Sequence, residues 1–121
     1  MAAEDAFRTG CELFDSGRFF ESHEVWEQAW LQTEGQERLF YQGLIQVAAA
    51  LLHARRGNRV GAMALWAKAA AKLRRFPSPY RQVALAEFLA ELTGYFAAVE
   101  RGDEALPRLP VLSRPTQPCC R

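Results

Sequence analysis

Leu39-Phe40-Tyr41-Gln42-Gly43-Leu44-Ile45-Gln46-Val47-Ala48-Ala49-Ala50-Leu51-Leu52-His53-Ala54 decides how this chain folds. The run is rich in Ala and Leu, which favour helix. It is shorter than the about 20 apolar residues a membrane-spanning helix needs, and Gln42, Gln46 and His53 interrupt it. It therefore predicts a central, buried helix of a globular protein, running to about Arg56. Upstream, Gly35 marks a break, and Thr33 with Gln36 has the spacing of a capping box. A preceding helix is expected over about Arg18 to Gln32. Gly17 separates it from a first helix, Ala3 to Ser16, whose stripe is Phe7, Cys11 and Phe14. Downstream, Gly57-Asn58 reads as a helix stop followed by a new N-cap. The fourth helix, about Arg59 to Arg75, presents Ala62, Leu65, Trp66, Ala69 and Leu73 to the core. Phe76-Pro77-Ser78-Pro79 breaks the chain, with Ser78 expected as N-cap and Pro79 as the first residue of a fifth helix. That helix carries Val83, Phe88, Leu92, Tyr95, Phe96 and Val99 and stops at Gly102.

The expected fold is all-α, a compact bundle of about five helices built from antiparallel helical hairpins, because the connections are short. With 121 residues, half of them hydrophobic, the chain fits one core. Residues 1–106 form a single helical domain in this reading. Residues 107–121, with Pro107, Pro110, Pro115 and Pro118, form a tail that is disordered or draped on the surface. The first residues are acidic and lack an apolar segment, unlike a signal peptide. Cys119 and Cys120 are neighbours in the tail and Cys11 is on an apolar stripe, so no disulfide framework is indicated. A reduced, cytoplasmic protein without a membrane span is the expectation.

Charge is segregated. Residues 1–37 hold Glu4, Asp5, Glu12, Asp15, Glu21, Glu24, Glu27, Glu34 and Glu37 against Arg8 and Arg18. Residues 38–86 hold Arg38, Arg55, Arg56, Arg59, Lys68, Lys72, Arg74, Arg75 and Arg81 and no acid. Such a segment could face nucleic acid or another polyanion. The bases are spread around helices instead of forming one stripe, which favours an acidic hairpin neutralised by a basic one.

The chemistry-bearing residues lie in His23-Glu24-Val25-Trp26-Glu27-Gln28-Ala29-Trp30. On a helix, His23, Glu27 and Trp30 share a face. Gln42, Gln46 and His53 fall within about 40° of each other on the next helix. Folding the two helices about Glu34 brings Glu27 level with Gln42 and His23 level with Gln46. The next hairpin sets Ala69 level with Gln46 and Ala62 level with His53. His23, Glu24, Glu27, Gln42, Gln46 and His53 are thus a candidate polar cluster, with Trp26, Trp30 and Trp66 as candidate pocket walls. Such a cluster can be a hydrogen-bonded network that fixes helix register. It can also hold a ligand or a divalent metal through His23 and Glu27, with Glu24 as a base. Zinc usually takes about three protein ligands, so two donors suit a harder ion with waters, or a site completed across a homodimer.

Gly17-Arg18-Phe19-Phe20-Glu21-Ser22 followed by His23-x-x-x-Glu27-x-x-Trp30 resembles the signature of a small prokaryotic family, domain of unknown function 309. Tyr41-Gln42-Gly43-Leu44-Ile45-Gln46 and His53-x-x-x-Gly57-Asn58-x-x-Gly61-Ala62 resemble its second and third blocks. The resemblance covers about Phe7 to Leu73. It implies a compact helical fold, no established activity, and a suggested metal site that transfers here to His23 and Glu27. Three readings follow: a binding or interaction module with a polar centre, a metal-dependent, hydrolase-like enzyme, and a polyanion binder through residues 38–86. The residues favour the first and leave open whether the chain is an enzyme.

Overall fold

The structure, a computed structural model, describes residues 2–112. Five helices carry it: α1 (Ala3–Asp15), α2 (Phe19–Leu31), α3 (Gln36–Arg55), α4 (Arg59–Leu73) and α5 (Leu85–Arg101). The all-α bundle read from the sequence is the observed fold. α3 is the shared partner of α2 and α4, while α1 packs on α2 and α5 on α4. Phe7 lies against Phe40 and Tyr41, tying α1 to α3, and the Phe14 and Phe88 rings meet edge-on between α1 and α5.

The stripes predicted from periodicity face this core. Phe7, Cys11 and Phe14 are buried, as are Ala62, Trp66, Ala69 and Leu73, and Phe88, Leu92, Tyr95 and Phe96. Gly57 adopts the left-handed φ of +81° that turns α3 into α4, a conformation costing a non-glycine residue about 1–2 kcal/mol. Asn58 follows as N-cap, its Oδ1 accepting the Gly61 N–H at 3.0 Å.

Two local expectations are corrected. Thr33 and Gln36 do not form a capping box: Gly35 occupies the N-cap of α3 with no side-chain cap. The Thr33 hydroxyl instead donates to the Ala29 carbonyl at 2.6 Å, closing the end of α2. The fifth helix begins at Leu85 and not at Pro79. Residues 80–83 close a tight turn in which Tyr80 and Val83 exchange both backbone hydrogen bonds at 2.9 Å. Tertiary packing overrides helix extension here, since Val83 is buried and the Tyr80 ring packs on Phe40 and Phe76. Ser78 still caps α5 from a distance, its Oγ accepting the Ala86 N–H at 2.9 Å.

Beyond α5, Leu112 is buried and its N–H donates to Asp15 Oδ1 at 2.6 Å. Pro115, Pro118, Cys119 and Cys120 lie outside the described residues. Among the described residues, no helix is long and apolar enough to cross a membrane.

Candidate polar site

α2 turns one edge toward α3. The Arg38 guanidinium sits 4.0 Å from the centre of the Trp30 ring, and that of Arg55 4.7 Å from the Phe19 ring. His23 lies between Phe19 and Trp30 on that edge, one turn from Phe19 and two from Trp30. Its Nδ1 stands 4.0 Å from Glu27 Oε1, too far for a hydrogen bond, and is buried without any partner. The His23 side chain as a whole is 28% exposed and that of Glu27 48%, so the pair borders solvent. Glu24, the candidate base, is exposed on the outer face.

The polar row of α3 engages α4. Gln46 Oε1 accepts from Lys72 Nζ at 2.9 Å. Asn58 Nδ2 lies 2.9 Å from His53 Nδ1. An amide nitrogen can only donate, so His53 Nδ1 is the acceptor in this contact. Asn58 therefore bridges His53 to the first turn of α4. The structure thus brings His23 to Glu27, Gln46 to Lys72 and His53 to Asn58. Among the described residues, no hydrogen bond or ion pair joins His23 or Glu27 to Gln42 or Gln46. Gln46 meets Lys72, three residues beyond Ala69, and His53 lies beside Gly61, the neighbour of Ala62.

The three tryptophans have separate places. Trp26 is fully buried and donates from Nε1 to the Phe7 carbonyl at 3.2 Å. Trp66 stacks on Phe96 at 4.9 Å, and Trp30 is half-buried beneath Arg38. Cys11 is buried, and desolvation together with Asp15 and Glu12 pushes its thiol up to about 12, which makes it a poor nucleophile at neutral pH. Among the described residues, no group of three or more His, Cys, Asp and Glu side chains is gathered as a metal would require. His23 and Glu27 alone do not fit a zinc centre.

A second polar cluster had no signature in the sequence. Arg81 Nη1 donates to Glu37 Oε2 at 2.5 Å and Nη2 to Glu4 Oε1, while the Tyr80 hydroxyl donates to Glu37 Oε1. The Arg81 guanidinium also lies 5.0 Å from the Phe7 ring and 5.7 Å from that of Tyr41. Burial and the Glu37 hydrogen bond push the Tyr80 phenol up to about 12. Burial likewise raises Tyr41 to about 12, against the pull of Arg81. Arg81 so joins the basic part of the chain to the acidic part, while Arg38, Arg55 and Lys72 are engaged on rings, carbonyls or amides within the fold.

Comparison with known proteins places the chain at this point. Residues 7–65 match the model of the family described as Domain of unknown function (DUF309). The chain resembles DUF309. The match runs from α1 into α4 and takes in both His23 and Glu27 on α2 and the polar row of α3. Tyr80 and Arg81, and all of α5, lie beyond the part matched to DUF309. No curated protein matches the chain.

Proposed function

We infer that this DUF309-like chain is a small helical binding module whose docking surface is the outer ridge of α3. The observation that carries this reading is the half-burial of Gln42, Ile45, Gln46, Ala49, Leu52 and His53. Their spacing of i, i+3, i+4, i+7, i+10 and i+11 makes one stripe of the central helix. Ile45, Ala49 and Leu52 supply apolar area, and the polar side chains on the same stripe supply orientation, the mixture expected of a protein interface. His23, Glu27 and Trp30 lie on α2, which packs against α3. A photo-crosslinking residue placed at Ala49 in cells should capture a discrete protein, and the same residue at exposed Ala90 should not. Ile45→Glu with Leu52→Glu should abolish capture while the helical circular dichroism is retained. Equal capture at both positions would defeat the reading.

The unpartnered His23 Nδ1 beside the Glu27 carboxylate supports a second reading, in which the pair holds a divalent ion with water or with a second copy of the chain completing the shell. Glu24 is then the available base for a hydrolytic step. Elemental analysis of untagged protein purified without chelator decides it. Stoichiometric metal that is lost in Glu27→Gln supports the metal reading. Metal-free protein whose melting temperature ignores Mn²⁺, Mg²⁺, Zn²⁺ and Fe²⁺ removes it.

A further inference from the structure

Arg81 has one donor too many for the fold. Nη1 is matched by Glu37 and Nη2 by Glu4, whereas Nε is buried with no hydrogen-bond partner. Buried donors are nearly always paired, so this one calls for a physical reason. Nε and Nη2 form one edge of the planar guanidinium, and their parallel N–H groups fit both oxygens of a single carboxylate. Glu4 takes that edge through Nη2 alone. Arg81 also lines a cavity of about 260 Å³ together with Glu4, Phe7, Arg8 and Gln82.

The surrounding geometry holds the guanidinium ready. Arg81 and Gln82 have φ of +48° and +66°, left-handed backbone that non-glycine residues adopt only where other interactions compensate. The rings of Phe7 and Tyr41 and the ion pair with Glu37 fix the guanidinium. Glu4 is the weak member of the set. Its side chain is 68% exposed on the first turn of α1, and exposed ion pairs are cheaply broken. Arg8, exposed and 3.5 Å from Asp5, adds positive charge to the cavity wall.

We propose that this cavity binds a small molecule through a carboxylate, which displaces Glu4 and engages Arg81 Nε and Nη2 together. Glu4 is a tethered competitor, the chain's own carboxylate covering half of the edge until ligand arrives. Incoming and displaced groups carry the same charge, so the ligand gains from the second hydrogen bond and from the Gln82 amide. None of the α3 ridge residues takes part, so this site stands or falls independently of the docking reading.

The test follows the Arg81 Nε–H signal by NMR in the ¹⁵N-labelled full chain, during titration with acetate or succinate at constant ionic strength. Chloride and inorganic phosphate are the parallel arms. The carboxylates should shift the signal saturably and chloride should not. Glu4→Ala, which removes the competitor, should lower the half-saturating concentration several-fold, and Arg81→Lys should abolish saturation. The Glu4→Ala arm decides the matter if Arg81→Lys does not fold. An unsaturable response, saturation with phosphate alone, or unchanged half-saturation in Glu4→Ala would overturn the proposal.

Discussion

Gly10 faces the Trp26 indole so closely that a methyl group there would fall 2.2 Å from Nε1. Replacing glycine with alanine inside a helix ordinarily gains about 1 kcal/mol through propensity. Here the gain is outweighed, because Trp26 is fully buried and pinned by its bond to Phe7, so it cannot retreat. Gly10→Ala should destabilise by about 1–3 kcal/mol, the usual range for overpacking, measured by urea unfolding. Cys11, one residue on, should stay unreactive toward a thiol reagent at pH 8 in the native protein and react in urea, because burial holds its thiol near 12. Reaction at equal rates in both states would refute this. At this scale the sequence identified Cys11 as a core residue from its stripe alone. The tight fit of Gly10 against Trp26 was not legible, since it depends on a partner from another helix.

Among the elements, hairpin turns governed by neighbouring residues were the readable ones. Gly57 and Asn58 take the expected roles, and Asn58 adds a bond to His53. Asn58→Ala should cost about 1 kcal/mol, as loss of an N-cap does, with His53→Ala costing less. Equal losses in urea melts would place the weight on His53 instead. The turn before α5 is not legible locally, because Pro79 is a good first helical residue while the competing turn depends on Tyr80 reaching Phe40 and Glu37. That turn holds Gln82 in left-handed backbone. Gln82→Gly should therefore stabilise the protein by about 1 kcal/mol, visible as a raised melting temperature. The His23–Glu27 pair was visible for the opposite reason: both residues sit on one helix, four apart. Arg81 meets Glu4 and Glu37 across 77 and 44 positions, and no local pattern announces such a meeting.

For the molecule as a whole, the thiol and phenols that the fold holds above their ordinary pKa, Cys11, Tyr41, Tyr80 and Tyr95, weaken stability in alkali. Cys11, Tyr41 and Tyr80 are each raised to about 12 in the fold, above their ordinary values of 9.0 for the thiol and 10.0 for the phenols. Above those ordinary values the unfolded chain releases protons that the folded chain retains, so stability falls with rising pH. The contribution is complete below pH 9 and is lost as pH climbs from there through about 12. Melting temperature should decline across that window, and Tyr80→Phe should flatten the decline. A flat profile up to pH 11 would contradict it.

The separate placement of the tryptophans gives the bundle one natural fluorophore at each of three contacts. Trp26 reports on the joint between α1 and α2, Trp30 on the edge covered by Arg38, and Trp66 on its stack with Phe96 between α4 and α5. Fully enclosed Trp26 should emit at shorter wavelength than half-exposed Trp30. Chains retaining one indole at a time would show, without any dye, whether the hairpins part together or in sequence.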